Sequence, residues 1–123
     1  MNWGAIGATL SGIAVLIGAF GAHALRDRLD AYATRIYERA AFYQFVHALG
    51  LLALGAALAA GAAAGSAAAL AGWLLLAGTI VFCGSLYALA LSGVRALGAI
   101  TPFGGLALVA GWFAFAYALT AGK

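Results

Sequence analysis

The sequence predicts an all-α protein, a four-helix membrane bundle in a single domain over residues 1–123. Two features of composition lead to this fold class. Hydrophobic residues make up 67% of the chain and charged residues 7%, against about 45–50% and about 25% in ordinary soluble domains. The mean hydropathy is +1.09. The few charges are also concentrated, which leaves four long stretches without Asp, Glu, Lys or Arg. These features exclude a water-soluble globular domain.

Each of the four stretches is long enough to cross a bilayer. A helix rises about 1.5 Å per residue, so it needs about 20 apolar residues to cross a hydrocarbon core of about 30 Å. The predicted spans are residues 4–25, 40–60, 69–91 and 101–120.

The first span has a second interpretation, because Ala22-His23-Ala24 fits the small-x-small cleavage site of a secretory signal. A signal peptide has a positive first segment and an apolar core of about 7–15 residues. Met1-Asn2-Trp3 carries no charged side chain, and the apolar run is longer than that core. We therefore interpret this stretch as a membrane span.

The first connection, residues 26–39, combines charges with a hydrophobic stripe. Leu29, Tyr32, Ile36 and Tyr37 recur at helical spacing among its charged residues. This pattern predicts a short helix that lies in the membrane interface, with its hydrophobic stripe towards lipid or the mouth of the bundle.

The other connections are predicted to be plain turns. Residues 61–66 are small and uncharged, and Ser92-Gly93 is suited to end the third helix. Thr101 is predicted to cap the fourth helix, with Pro102 in its first turn, where the missing N–H costs nothing.

The charge pattern predicts a lipid partner and an orientation. The net charge of +3 comes from six basic and three acidic residues, and no purely basic run indicates nucleic-acid binding. With four spans, both termini lie on one side, side A, and the first connection and Arg95 lie on the other, side B. The first connection and Arg95 hold five of the six basic residues, so the positive-inside rule places side B in the cytoplasm. Trp3, Trp73 and Tyr117 are expected to form an aromatic belt on side A.

A set of polar residues is predicted to gather towards side B within the spans. Polar groups inside a membrane are costly and usually face a partner or a cavity. We expect His47 to be buried with a hydrogen-bond partner, and His23 to be partly exposed and to reach the first connection. The two histidines suit three roles: hydrogen bonding across helices, a proton or substrate path, or a metal or haem pair. The candidate polar site comprises His23, Gln44, His47, Ser85, Tyr87 and Thr101.

No complete catalytic set is present in the sequence. The acidic residues Asp27, Asp30 and Glu38 all lie in the first connection, far along the chain from Ser85. Hydrolase chemistry would require a nucleophile, a base and an orienting carboxylate. The single cysteine, Cys83, cannot form an intramolecular disulfide and is expected to be buried. We therefore predict a protein that is not an enzyme and needs no cofactor.

Small residues recur along the spans at steps of three and four, as in membrane helices that approach closely. We expect at least one of these stripes, containing Gly7 in the first span or Gly111 in the fourth, to face another chain. The predicted partners are therefore the lipid bilayer together with a second copy or a larger membrane complex of which the chain is an accessory subunit.

Four ordered motifs give the chain a family resemblance. They are Gly18–Leu25, Tyr43–Leu49, Gly84–Leu89 and Leu97–Gly105, the last followed by Gly111-Trp112. Together they resemble the small bacterial inner-membrane proteins of domain-of-unknown-function family 423, and the eukaryotic transmembrane protein 256 family is similar. The resemblance implies four membrane helices and a location in the bacterial cytoplasmic membrane, and it implies no activity. We expect a non-catalytic subunit, and the alternative is a small channel or transporter for a proton, ion or small solute.

Overall fold

The protein folds into four long helices that run up and down, as the sequence predicts. The computed structural model describes residues 1–122. The helices are α1 (Trp3–His23), α2 (Ala31–Ala59), α3 (Gly65–Ser92) and α4 (Thr101–Ala121), and a short 3-10 helix (Arg95–Ala99) precedes α4. All four long helices are long and apolar enough to cross a membrane.

The separate interfacial helix predicted in the first connection is wrong. The connection is a short turn, and α2 already begins at Ala31, where the Asp30 carboxylate accepts a hydrogen bond of 2.8 Å from the Ala33 N–H. Neither Pro nor Gly interrupts the chain between this cap and Gly50, so the charged first turns continue directly into the apolar span. With 29 residues, α2 is about 43 Å long and exceeds the hydrocarbon thickness.

The ends of α3 and α4 confirm one prediction and correct another. Gly93 ends α3 in the left-handed conformation, at φ 74°, which a residue without Cβ adopts without strain. Thr101, however, is not the cap of α4, because Ile100 holds the cap position and Thr101 is the first helical residue. Pro102 lies in the first turn, as predicted.

The helices pack in chain order, and α2 and α3 form the centre of the bundle. α1 packs on α2, α2 on α3 and α3 on α4, whereas α2 and α4 touch only along a narrow line. The largest fully buried side chains, Leu51, Leu54 and Leu75, all come from the two central helices. The outer helices α1 and α4 therefore keep broad faces towards the surroundings.

Glycines bring the helix backbones together inside the bundle. A Cβ at Gly7 would collide with the backbone of α2 at Ala48 and Leu52, and a Cβ at Gly111 would press on Leu75 of α3. The expectation that Gly7 or Gly111 faces another chain is therefore wrong, since both serve contacts within the chain.

The aromatic residues near side A only partly form the expected belt. Trp73 and Tyr117 are 52% and 68% exposed and suit the membrane interface. Trp3 is instead buried, with its indole packed on Gly72 and edge-to-face against Trp73 at a ring distance of 5.3 Å. Because Gly72 has no side chain, the indole of Trp3 fits against α3. The start of α1 thereby packs on α3.

Candidate functional site

The predicted polar residues form separate hydrogen-bonded groups and not a single network. Gln44 and Tyr87 form one group, Ser85 and Thr101 form a second, and His47 joins a residue outside the predicted set. His23 lies apart, at the end of α1.

Gln44 connects three helices. Its amide Nε2 donates to the backbone oxygen of Leu10 on α1 at 2.9 Å, and its Oε1 accepts from the Tyr87 hydroxyl on α3 at 2.7 Å. Only 4% of Gln44 is exposed. Because both ends of the amide are bonded, this buried polar group stabilises the contact of α1, α2 and α3.

Ser85 and Thr101 connect α3 to the start of α4. Their hydroxyl oxygens are 2.6 Å apart, and the Ser85 hydroxyl also lies 2.9 Å from the Phe82 backbone oxygen. If Ser85 donates its one proton to Phe82, the Thr101 hydroxyl donates to Ser85. The pair thus uses the hydroxyl that was predicted to cap α4 as a bridge between two helices.

Tyr37 belongs with these polar contacts, although sequence reasoning missed it. Its hydroxyl donates to the Ile17 backbone oxygen of α1 at 2.5 Å, and its ring lies edge-to-face on Tyr87 at 5.5 Å. A Cβ at Gly21 would collide with the Tyr37 ring. The available signal was its place in the hydrophobic stripe of the first connection, which was interpreted as facing lipid or the mouth of the bundle.

His47 is buried, as predicted, and its partner comes from another helix. The Trp112 indole Nε1 on α4 donates to His47 Nδ1 at 2.9 Å. His47 is 6% exposed, and among residues 1–122 its other ring nitrogen, Nε2, is buried without a hydrogen-bond partner. Trp112 was not in the predicted site. It belonged only to the last family motif, and its distance along the chain gave no sign that it would reach His47.

His23 and His47 are too far apart to act as a pair. Since Gln44 bonds to Leu10, His47 lies near the depth of Leu10, and His23 is 13 residues further along α1, or about 20 Å by the helical rise. His23 is exposed, as predicted. Within residues 1–122, however, its side chain makes no hydrogen bond to the first connection. Within residues 1–122, no three His, Cys, Asp or Glu side chains form a group that could hold a metal ion. The arrangement therefore does not provide the metal or haem pair considered above.

An open groove runs along the narrow line between α2 and α4. It has a volume of about 530 Å³, and His47 lies in its wall between Tyr43 and Trp112. The His47 ring is 5.8 Å from the Tyr43 ring and 6.0 Å from the Trp112 ring. Phe82 of α3 also lines the groove, and its ring lies 4.8 Å from the ring of Tyr43.

Comparison with known proteins gives a family but no activity. A family model described as a protein of unknown function, DUF423, matches residues 17–105. A UPF0382 membrane protein of Staphylococcus saprophyticus is 45% identical over 107 residues, which cover 87% of each chain. A UPF0382 membrane protein of Staphylococcus epidermidis is 47% identical over 87% of this chain and 85% of its own.

No solved structure matches the chain. The family match covers Gln44, Tyr87, Ser85 and Thr101, and the bacterial relatives are named as membrane proteins. Four helices of spanning length agree with that description. The chain is a multi-pass membrane protein of unknown function and belongs to the DUF423/UPF0382 family.

Proposed function

We propose that the protein is a non-catalytic membrane subunit that assembles sideways with another membrane helix through the outer face of α1. The observation that carries this proposal is how little of α1 the rest of the chain covers. In the apolar window of α1 11% of the residues are buried, compared with 44% in α3. A helix that keeps so much of its surface outside the bundle is available to a partner.

The composition of the free face supports helix association. Ala5, Ala8 and Gly12 are exposed at steps of three and four, and a Cβ at Gly12 would meet nothing within 4 Å. In lipid, small residues at this spacing let two backbones approach and gain van der Waals contact. Gly7 already packs against α2, so Gly12 is the glycine of this stripe that remains available to a partner helix.

The non-catalytic part of the proposal rests on how the polar side chains are used. Gln44, Tyr87, Ser85 and Thr101 all bond to other helices. The alternative function, a channel or transporter lined by His23, Gln44 and His47, would place these three residues along one path. His23 is exposed at the end of α1, and both ends of the Gln44 amide are occupied by other helices, so this geometry favours the assembly proposal.

A matched pair of glycine substitutions tests the proposal. Gly12→Leu places a large side chain on the outer face of α1, and Gly84→Leu does the same on α3, where a Cβ also meets nothing within 4 Å. We expect Gly12→Leu to weaken association about tenfold and Gly84→Leu to leave it unchanged. The readout is the number of copies and the copurifying chains in native mass spectrometry from nanodiscs. A wild-type protein that stays monomeric there and carries no partner chain contradicts the proposal.

A further inference from the structure

The groove between α2 and α4 contains a buried hydrogen-bond donor that lacks an acceptor. An indole N–H only donates, so His47 Nδ1, which accepts from Trp112, carries no proton. A neutral imidazole then has its proton on Nε2, and this buried N–H has no partner in residues 1–122. A buried donor without an acceptor is costly in hydrocarbon, because no water is present there to accept its hydrogen bond. An acceptor supplied from outside would therefore stabilise the site.

The depth of His47 restricts where that acceptor can come from. By the helical rise, His47 lies about 12 Å from Arg39, the last charged residue of α2, and about 18 Å from the end of the helix. Its partner Trp112 lies near the middle of α4. The polar headgroup region lies outside a hydrocarbon core of about 30 Å, whereas His47 lies deep inside this core. An acceptor from outside the chain would therefore have to belong to a molecule dissolved among the lipid tails.

The walls of the groove favour a flat ring. Tyr43 and Trp112 are each 37% exposed and line the groove on either side of His47. Aromatic faces stack well on other planar π-systems, and a volume of about 530 Å³ is within the usual range for small-molecule sites. Gly105 and Val109 of α4 also line the groove.

We propose that this groove binds a membrane-dissolved planar molecule with a carbonyl oxygen, as a quinone headgroup has. Because His47 Nε2 is covered in the free protein, a side chain of the groove wall turns aside as the molecule binds, and the carbonyl oxygen then accepts a hydrogen bond from Nε2. The ring lies between Tyr43 and Trp112, and any hydrocarbon tail extends into the bilayer. The inference concerns binding and does not depend on the assembly proposed for α1, which uses a different face.

Two ligands that differ in their carbonyl oxygens test the hydrogen bond. Menadione has two carbonyl oxygens on a methylnaphthalene skeleton, and 2-methylnaphthalene has the same rings and methyl group without them. Binding to the full chain in nanodiscs is followed through the ¹H–¹⁵N signal of the Trp112 indole, after correction for partition into lipid. We expect menadione to bind about tenfold more tightly, as one hydrogen bond to a buried donor provides. Equal affinity for the two molecules overturns the proposal.

Two substitutions of His47 separate its two ring nitrogens. His47→Asn puts an amide oxygen near the place of Nδ1, where it still accepts from Trp112, and leaves the Nε2 position empty. His47→Gln extends an amide N–H towards the Nε2 position. We expect the preference for menadione to disappear in His47→Asn and to persist in part in His47→Gln. A preference that survives unchanged in His47→Asn overturns the assignment of Nε2, provided that the Trp112 signal shows an intact fold.

Blocking the groove tests the location. Val109 lines the groove and is 54% exposed, whereas Phe113, at 72% exposure, does not line it. We expect Val109→Trp to abolish binding of both ligands and Phe113→Trp to leave it unchanged. Efficient disulfide formation between two copies of Val109→Cys in native membranes would show that a second chain fills the groove, and it would overturn the proposal.

Discussion

The two sides of α2 are built in different ways. Towards α1, the helix meets a glycine, Gly7, and the two backbones touch. Towards α4, it meets a tryptophan, Trp112, which holds the two helices apart along the groove. Gln44 and His47 are three residues apart on α2 and are both buried, yet Gln44 is bonded at both ends and His47 at one.

This difference teaches how helix spacing decides whether a buried polar group is satisfied. Where two backbones touch, a carbonyl oxygen such as that of Leu10 lies within reach of a short amide side chain. Where the helices stand apart, only a long side chain spans the gap, and Trp112 has one N–H to offer. A single donor satisfies one nitrogen of an imidazole and leaves the other open.

The close side is most sensitive to a single methyl group. Gly7→Ala adds a Cβ that collides with the α2 backbone at Ala48 and Leu52, so we expect the free energy of unfolding to fall by about 3 kcal/mol. The measurement is reversible unfolding in mixed detergent micelles. Gly12→Ala on the same helix meets nothing within 4 Å and is the control. Equal effects of the two substitutions would contradict the close contact of α1 with α2.

The hydrogen bonds of Gln44 come next in size. Gln44→Leu removes both bonds and leaves the Tyr87 hydroxyl without its acceptor, and we expect a loss of about 1–2 kcal/mol. Tyr87→Phe removes only the bond to Oε1 and should cost about half as much. If Gln44→Leu is neutral in the same unfolding experiment, the amide does not hold the three helices together.

The sequence was sufficient to predict the helices, since span length and hydropathy depend on composition and on helix geometry alone. The predicted third and fourth spans agree with α3 and α4 to within a few residues. The start of α2 was wrong because a charged amphipathic stripe looks the same whether it belongs to a separate helix or to the end of a long one. Only the absence of a breaker between Asp30 and Gly50 distinguishes these cases.

The candidate site was harder to predict, because a sequence gives the depth of a residue better than its direction. Depth correctly identified Gln44, His47, Ser85 and Tyr87 as membrane polar groups that need partners. It could not identify Trp112 as the partner of His47, since this depends on which face of α4 turns towards α2. It also placed His23 too close to His47, because residues 31–39 were assigned to a separate interfacial helix. In the structure these residues extend α2 alongside the end of α1.

The open side of α2 should tolerate a methyl group better than the close side. A Cβ at Gly50 would lie 2.7 Å from the Trp112 ring, which is a side chain that can turn outwards because it is 37% exposed. We expect Gly50→Ala to lower the free energy of unfolding by about 1 kcal/mol, clearly less than Gly7→Ala. The indole ¹H–¹⁵N signal of Trp112 should shift as its bond to His47 breaks. An effect as large as that of Gly7→Ala would mean that this side is closely packed too.

The smallest effect on stability is expected from Trp112→Phe, which removes one hydrogen bond and keeps an aromatic ring stacked on Phe115. Interhelical bonds of this kind contribute about 0.6 kcal/mol on average in membranes, so unfolding alone barely detects the change. The ¹⁵N shifts of the His47 imidazole are more decisive. In the wild type we expect a single neutral tautomer protonated at Nε2, because the indole N–H occupies Nδ1. In Trp112→Phe, Nδ1 loses its donor and the two tautomers should mix. If the wild-type imidazole is already protonated at Nδ1, the bond from Trp112 is absent, and the unpaired donor in the groove is absent with it.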